Sequence, residues 1–254
     1  MSKKIVIEVC VTSAGAALDA QKSGADRLEL CENLPEGGTT PSAGTIAVAR
    51  KNAGIQLFVL IRPRGGDFLY SDSEFDVMRH DIMTAKTLGA DGIVTGILTA
   101  DGHVDKPRMA ELIALAQPLP VTFHRAFDVA TDPFQTLEDC IELKISRILT
   151  SGQAKSAVEG ADLIAGLVRR AAGRIGILPG CGINANNVRQ LVEKTGVDEV
   201  HFSAMKTVES AMRFRRTNVP MGGAPQSSEF SVSVADMEKI GNIREITKTR
   251  NPPD

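Results

Sequence analysis

Residues 3–11 (KKIVIEVCV) and 26–34 (DRLELCENL) alternate between apolar and polar side chains, the period of a β-strand. In the first, Ile5, Ile7 and Val9 share one face while Glu8 and Cys10 take the other. In the second, Leu28 and Leu30 oppose Arg27, Glu29 and Cys31, so the polar face carries the same Glu-x-Cys ending twice. Apolar runs at 56–61, 88–96, 118–128, 146–152, 174–183 and 198–204 predict six further strands. Between them, helical spacing with cap and stop residues predicts helices at about 13–22, 43–53, 73–88, 107–117, 132–143, 155–172 and 186–194, with a last one at 234–248. Thr12 or Ser13 and Asp132 are candidate caps, and Pro107 and Pro133 suit a first helical turn. Three segments, SGADRLEL (23–30), LGADGIVT (88–95) and TGVDEVHF (195–202), repeat a glycine helix stop, a short loop and a new strand.

Alternating strands and helices without hairpin signals predict an α/β chain, a (β/α)8 TIM barrel formed as a single domain over 1–254. A doubly wound open sheet would usually show a GxGxxG turn after the first strand, and none follows it. After the eighth strand the pattern breaks. Residues 206–233 read as an irregular insertion at the C-terminal mouth, a lid or an oligomer contact, before the C-terminal helix.

With 254 residues, 43% of them hydrophobic, the chain can bury a large core, and its net charge of −2 offers no electrostatic case for nucleic acid or a membrane surface. No stretch reaches the roughly 20 apolar residues of a membrane span. Four cysteines without a CxxC pair or a secretion signal fit a reduced cytoplasmic protein rather than a disulfide scaffold or a structural zinc site.

Barrel enzymes carry their sites at the C-terminal ends of the strands. Barrel closure sets strand eight beside strand one, so Cys10, Cys31 and His201 come from three neighbouring strands. Two thiols and an imidazole form a soft set suited to Cu(I) or zinc, although cysteines also fill barrels as inert small residues. The glutamates of the two Glu-x-Cys endings would lie one layer deeper. Glu8, Glu29 and His124 are candidate acid–base groups if the protein is an enzyme; equally, the charges can neutralise one another in a polar interior. Arg62, Arg125, Ser151, Gly180, Gly182 and Ser203 form a candidate anion site, because small residues at the last βα loops expose backbone N–H groups. No lysine lies in a strand interior, and Lys206 just past strand eight is a weak Schiff-base candidate.

The strings EVCV, GADRLELCENLPEGGTTPS, IRPRGGDFLYSD, DGIVTG, PLPVTFHRAFD, RILTSG and FSA together closely resemble the CutC family over about residues 5–248. The resemblance implies a cytoplasmic TIM barrel named for copper tolerance and assembled as a homo-oligomer, a dimer or tetramer. It also implies Cu(I) ligation by Cys10 and Cys31. Where many relatives have GGGI this chain has GCGI, so Cys181 adds a thiol near the mouth. The competing partner is a small phosphorylated or carboxylated metabolite.

Overall fold

A computed structural model describes residues 4–219 and 228–248. Eight parallel strands line its centre: β1 (Val6–Val11), β2 (Arg27–Leu30), β3 (Gln56–Leu60), β4 (Gly92–Thr95), β5 (Val121–Phe123), β6 (Arg147–Thr150), β7 (Gly176–Pro179) and β8 (Glu199–Ser203). They alternate with α1 (Ala14–Lys22), α2 (Ala43–Asn52), α3 (Asp72–Thr87), α4 (Lys106–Ala116), α5 (Pro133–Glu142), α6 (Ala161–Ala171) and α7 (Val188–Thr195), and α8 (Met237–Thr247) closes the chain. The hydrogen-bonded order β7-β6-β5-β4-β3-β2-β1-β8 is that of a (β/α)8 TIM barrel. The two end strands meet side by side: a Cβ on Gly176 of β7 would lie 2.8 Å from Glu199 Oε1 of β8, and one on Gly180 would lie 3.2 Å from His201 Cδ2. Glycine lets that seam close.

The alternation read from the sequence sets the two faces of each strand. Ile7, Val9, Val11, Leu28 and Leu30 are buried in the apolar layer that also contains the inner faces of the helices. Each such side chain stabilises the fold by roughly 1.5–3 kcal/mol, so this layer holds the barrel and leaves the inward face free to carry charge. Helix starts follow the expected capping chemistry. Ser13 accepts from Ala16 N–H and Asp132 from Phe134 N–H, while Ser71 and Glu74 form a reciprocal capping box on α3.

Two departures from the expected pattern have local causes. Helix α6 begins at Ala161 rather than near 155, because the preceding loop packs Gly160 against Gly152 backbone to backbone. A Cβ on Gly160 would fall 2.0 Å from Ser151 O. The segment expected to be irregular contains an antiparallel hairpin, β9 (Met205–Glu209) paired with β10 (Ser231–Ala235). In this hairpin β10 (SVSVA) alternates Ser and Val, but its partner β9 (MKTVE) places its apolar residues three apart and gives no strand period. None of its described residues lines the cavity at the barrel mouth, so among them no lid is formed; residues 220–227 lie outside the described part. At the opposite end, buried Arg244 of α8 pairs with Asp26 and donates to Gly24 O at 2.7 and 2.8 Å, anchoring the last helix beneath β2.

Candidate functional site

The inward faces of β1, β2, β6 and β8 build a charged floor. Arg27 is ion-paired to Glu8 and, at 2.5 Å, to Glu199, while Arg147 lies 3.4 Å from Glu199. The Phe58 ring packs against both guanidinium groups, with centroid distances of 5.2 Å and 5.0 Å. Glu8 is 0% exposed. Burial works against its charge, but Arg27 and His201 outweigh that and hold its carboxyl at about 2, so it is ionised at any physiological pH.

Directly above this floor, Glu8 Oε1 sits 2.7 Å from His201 Nδ1. A carboxylate there makes Nδ1 the protonated nitrogen and leaves Nε2 free to face the next layer, the arrangement that orients metal-ligating histidines. Nε2 lies 3.6 Å from Glu29 Oε2, beyond hydrogen-bond length. Burial opposes a charged imidazole, yet the Glu29 charge and the Glu8 hydrogen bond together raise the His201 pKa. Burial raises that of Glu29. Donor atoms of Cys10, Glu29 and His201 all fall within 4.8 Å of one another. Cys31 stands outside that trio and joins it through Cys10 alone, its Sγ 3.3 Å from Cys10 Sγ. Hydrogen bonding to Cys31, then burial and Glu29, hold the Cys10 thiol protonated.

Register explains why only one of the two glutamates joins the thiols. Cys10 is the ladder partner of Glu29, whereas Glu8 is level with Arg27 and His201. The two Glu-x-Cys endings are therefore offset, and Glu29 is not one layer below Cys10 but beside it. The cluster forms one wall of a cavity of about 520 Å³ that also reaches Arg62, His124 and Cys181. Such a volume suits a small molecule.

The CutC family model matches residues 5–206. The chain belongs to the CutC family. It is 49% identical to a human copper homeostasis protein cutC homolog over 96% of this chain and 89% of that one. It is 51% identical to a CutC family protein of Parabacteroides distasonis over 93% of this chain and 98% of that one. The CutC structure from Streptococcus agalactiae superposes with a TM-score of 0.75 at 38% identity, covering 78% of this chain and 98% of that one.

The residues expected to cradle an anion are dispersed in this CutC barrel. A turn of 3-10 helix, Arg125–Val129, brings Asp128 onto the end of β6. Its carboxylate accepts from Ser151 N–H at 3.0 Å, Thr150 Oγ1 at 2.5 Å and Gln153 N–H at 3.2 Å, and pairs with Arg125 Nε at 2.7 Å. The donors assigned to an external anion at Arg125 and Ser151 therefore already hold an internal one. The only sequence signal for this was the Asp of HRAFD. Gly182 and Ser203 line the cavity. Gly180 instead makes room for Leu149 and His201, whose atoms lie 2.7 and 3.2 Å from where its Cβ would be. Cys181 is at the rim, its thiol donating to Lys155 O at 3.2 Å.

His124 lines the cavity, but burial and the Arg62 charge hold its pKa at about 3, so it is neutral and a poor base near pH 7. An unfolded histidine takes up a proton below its ordinary 6.5, whereas the folded one resists until about 3. Stability from keeping it neutral is thus present above pH 6.5 and erodes as pH falls toward 3. Between pH 7 and 5 the loss from this residue is on the order of 2 kcal/mol. Urea unfolding of the wild type and His124→Phe at both pH values checks it; an equal pH 7-to-5 change in the two proteins would contradict the assignment.

Proposed function

We propose that this CutC-family barrel binds one Cu(I) ion at its mouth, with the Cys10 and Cys31 sulfurs as principal ligands and His201 Nε2 beside them. The observation that carries this reading is the 3.3 Å approach of the two buried thiols next to an imidazole oriented by Glu8. Thiolates are the ligands that select Cu(I), and the relatives' names attach the family to copper homeostasis. At a metal–sulfur distance of about 2.3 Å, sulfurs this close would subtend roughly a right angle at an ion, so modest side-chain rotation opens the pair for ligation. Two thiolates already outweigh the single charge of Cu(I), so Glu29 is not needed to balance it, and its hard oxygens do not compete with the sulfurs. Copper is then cargo, held and released by a buried site behind a wide mouth.

Because Cys10 is held protonated, the ion must displace protons, and apparent affinity should rise with pH by about tenfold per unit for each proton released. Competition titration of reduced protein against a chromogenic Cu(I) chelator is expected to give one ion per chain with that dependence. A pH-independent affinity, or none, would contradict the reading.

Four free cysteines, two of them facing each other, support a reducing, cytoplasmic location. Among the described residues no helix is long and apolar enough to cross a membrane. Exposed apolar side chains at and beside the hairpin, Met212, Phe214 and Val232, support a homo-oligomer, a dimer or tetramer, measurable by light scattering.

The cavity volume favours a second reading, because 520 Å³ far exceeds what an ion occupies. A small anionic metabolite would fill it, with Glu29 as the ionisable group beside the substrate. Glu8, ionised and sealed in the floor, would serve to orient His201.

A further inference from the structure

Among the buried arginines, Arg27 and Arg244 pair with carboxylates, but Arg62 does not. It is 5% exposed, and among the described residues no acid lies within ion-pair distance of it. Its Nη1 donates to the carbonyls of Glu36 at 2.8 Å and Gly38 at 2.6 Å, and its Nη2 donates to Gly66 O at 2.8 Å. Those bonds fix the guanidinium without neutralising it, and its Nε donates to no carbonyl or carboxylate. A buried cation held this way is costly unless an anion completes it.

The same cavity wall holds a second orphan. His124 is 4% exposed, and its Nδ1 accepts from Ala126 N–H at 3.2 Å, which puts the ring proton on Nε2. That Nε2 also lacks a partner. The ring cannot easily turn to find one. Gly96 backs it so closely that a Cβ there would lie 2.7 Å from Nδ1, and Phe68 stacks on it at 4.8 Å. Phe68 also lies 5.1 Å from the Arg62 guanidinium, so one ring touches both side chains, and all three line the cavity. The buried hydroxyl of Tyr70, on the same loop, lies against the Arg62 guanidinium, a neutral neighbour that leaves its charge uncompensated.

We propose that Arg62 and His124 Nε2 form a binding site for the carboxylate of a small organic acid held in the cavity beside Phe68. β3 and β5 carry this wall of the cavity; β3 pairs directly with β2, so the Arg62 end of the site abuts the thiol cluster while His124 lies farther round the barrel. One positive charge and two side-chain donors match a planar, singly charged group. A phosphate dianion calls for more donors, and the backbone amides of the β6 loop that would supply them are bound to Asp128. A water molecule would satisfy the donors but leave the Arg62 charge uncompensated.

The test uses metal-free, reduced protein labelled with 15N-histidine and titrated with sodium acetate, with sodium phosphate and sodium chloride as controls at equal ionic strength. Acetate is expected to shift the His124 Nε2 resonance saturably and at least tenfold more tightly than phosphate. His124→Phe and Arg62→Lys should each weaken acetate binding at least tenfold, measured by ligand-observed NMR. If a variant fails to fold, the wild-type titration decides alone. An Nε2 signal unmoved by acetate, or moved equally by phosphate or chloride, overturns the proposal. Since no copper is present, that outcome leaves the Cu(I) reading untouched, and loss of Cu(I) binding leaves this one untouched.

Discussion

Replacing Glu8 with alanine is expected to destabilise the protein by about 3–5 kcal/mol, the range for removing one partner of a buried charge pair. Glu8 is fully buried and engages both Arg27 and His201. Its loss leaves Arg27 sharing only Glu199, opens a void in the floor, and frees His201 to rotate. The ionised form is what counts, since the folded carboxyl titrates at about 2 rather than its ordinary 4.5. That contribution is present above pH 4.5 and lost as pH falls through about 2. Glu8→Gln, which keeps the volume, separates charge from packing: it should retain less than half the wild-type stabilisation if charge dominates. Urea denaturation at neutral pH measures both variants. A cost below about 1 kcal/mol for the alanine variant would mean that the floor is not held by this network, since that is the scale of an ordinary surface pair.

The second large effect concerns binding. Cys10→Ser with Cys31→Ser should lower Cu(I) affinity at least 100-fold, because hydroxyls replace both soft ligands with hard, protonated ones. Each single variant should fall between, since His201 and the remaining thiol still offer two donors. The fold should survive, as serine is close to cysteine in size and the apolar layer on the outer strand faces is untouched. Unfolding curves on the same samples separate lost ligation from lost structure.

The barrel is legible because strands alternate with helices along the chain and three of the αβ loops repeat a glycine stop before a new strand. Adjacency of Cys10 and Cys31 followed from strand order alone, as neighbouring parallel strands must bring their ends together. Height within the barrel did not follow, because the relative shift of two strands is a property of the sheet, not of either strand. Hence Glu8 and Glu29 look equivalent in sequence, yet one is sealed against Arg27 and the other stands beside Cys10. The Arg125–Ser151 part of the anion cradle is filled from within for a similar reason. The loop after β6 does expose amides, but the Asp128 carboxylate from the neighbouring β5 loop accepts from those of Ser151 and Gln153, and Thr150 Oγ1 takes that of Gly152. The hairpin after β8 is hard to read because only one of its strands carries the signal: β10 (SVSVA) alternates, but β9 (MKTVE) spaces its apolar residues three apart.

X-ray absorption at the copper edge of reduced protein loaded with one equivalent of Cu(I) reads the ligands themselves. The Cys10–Cys31 site predicts two sulfur scatterers and one imidazole nitrogen, with both sulfurs gone in the double serine variant. A copper shell of nitrogen and oxygen alone, or a sulfur shell that persists in that variant, would contradict it.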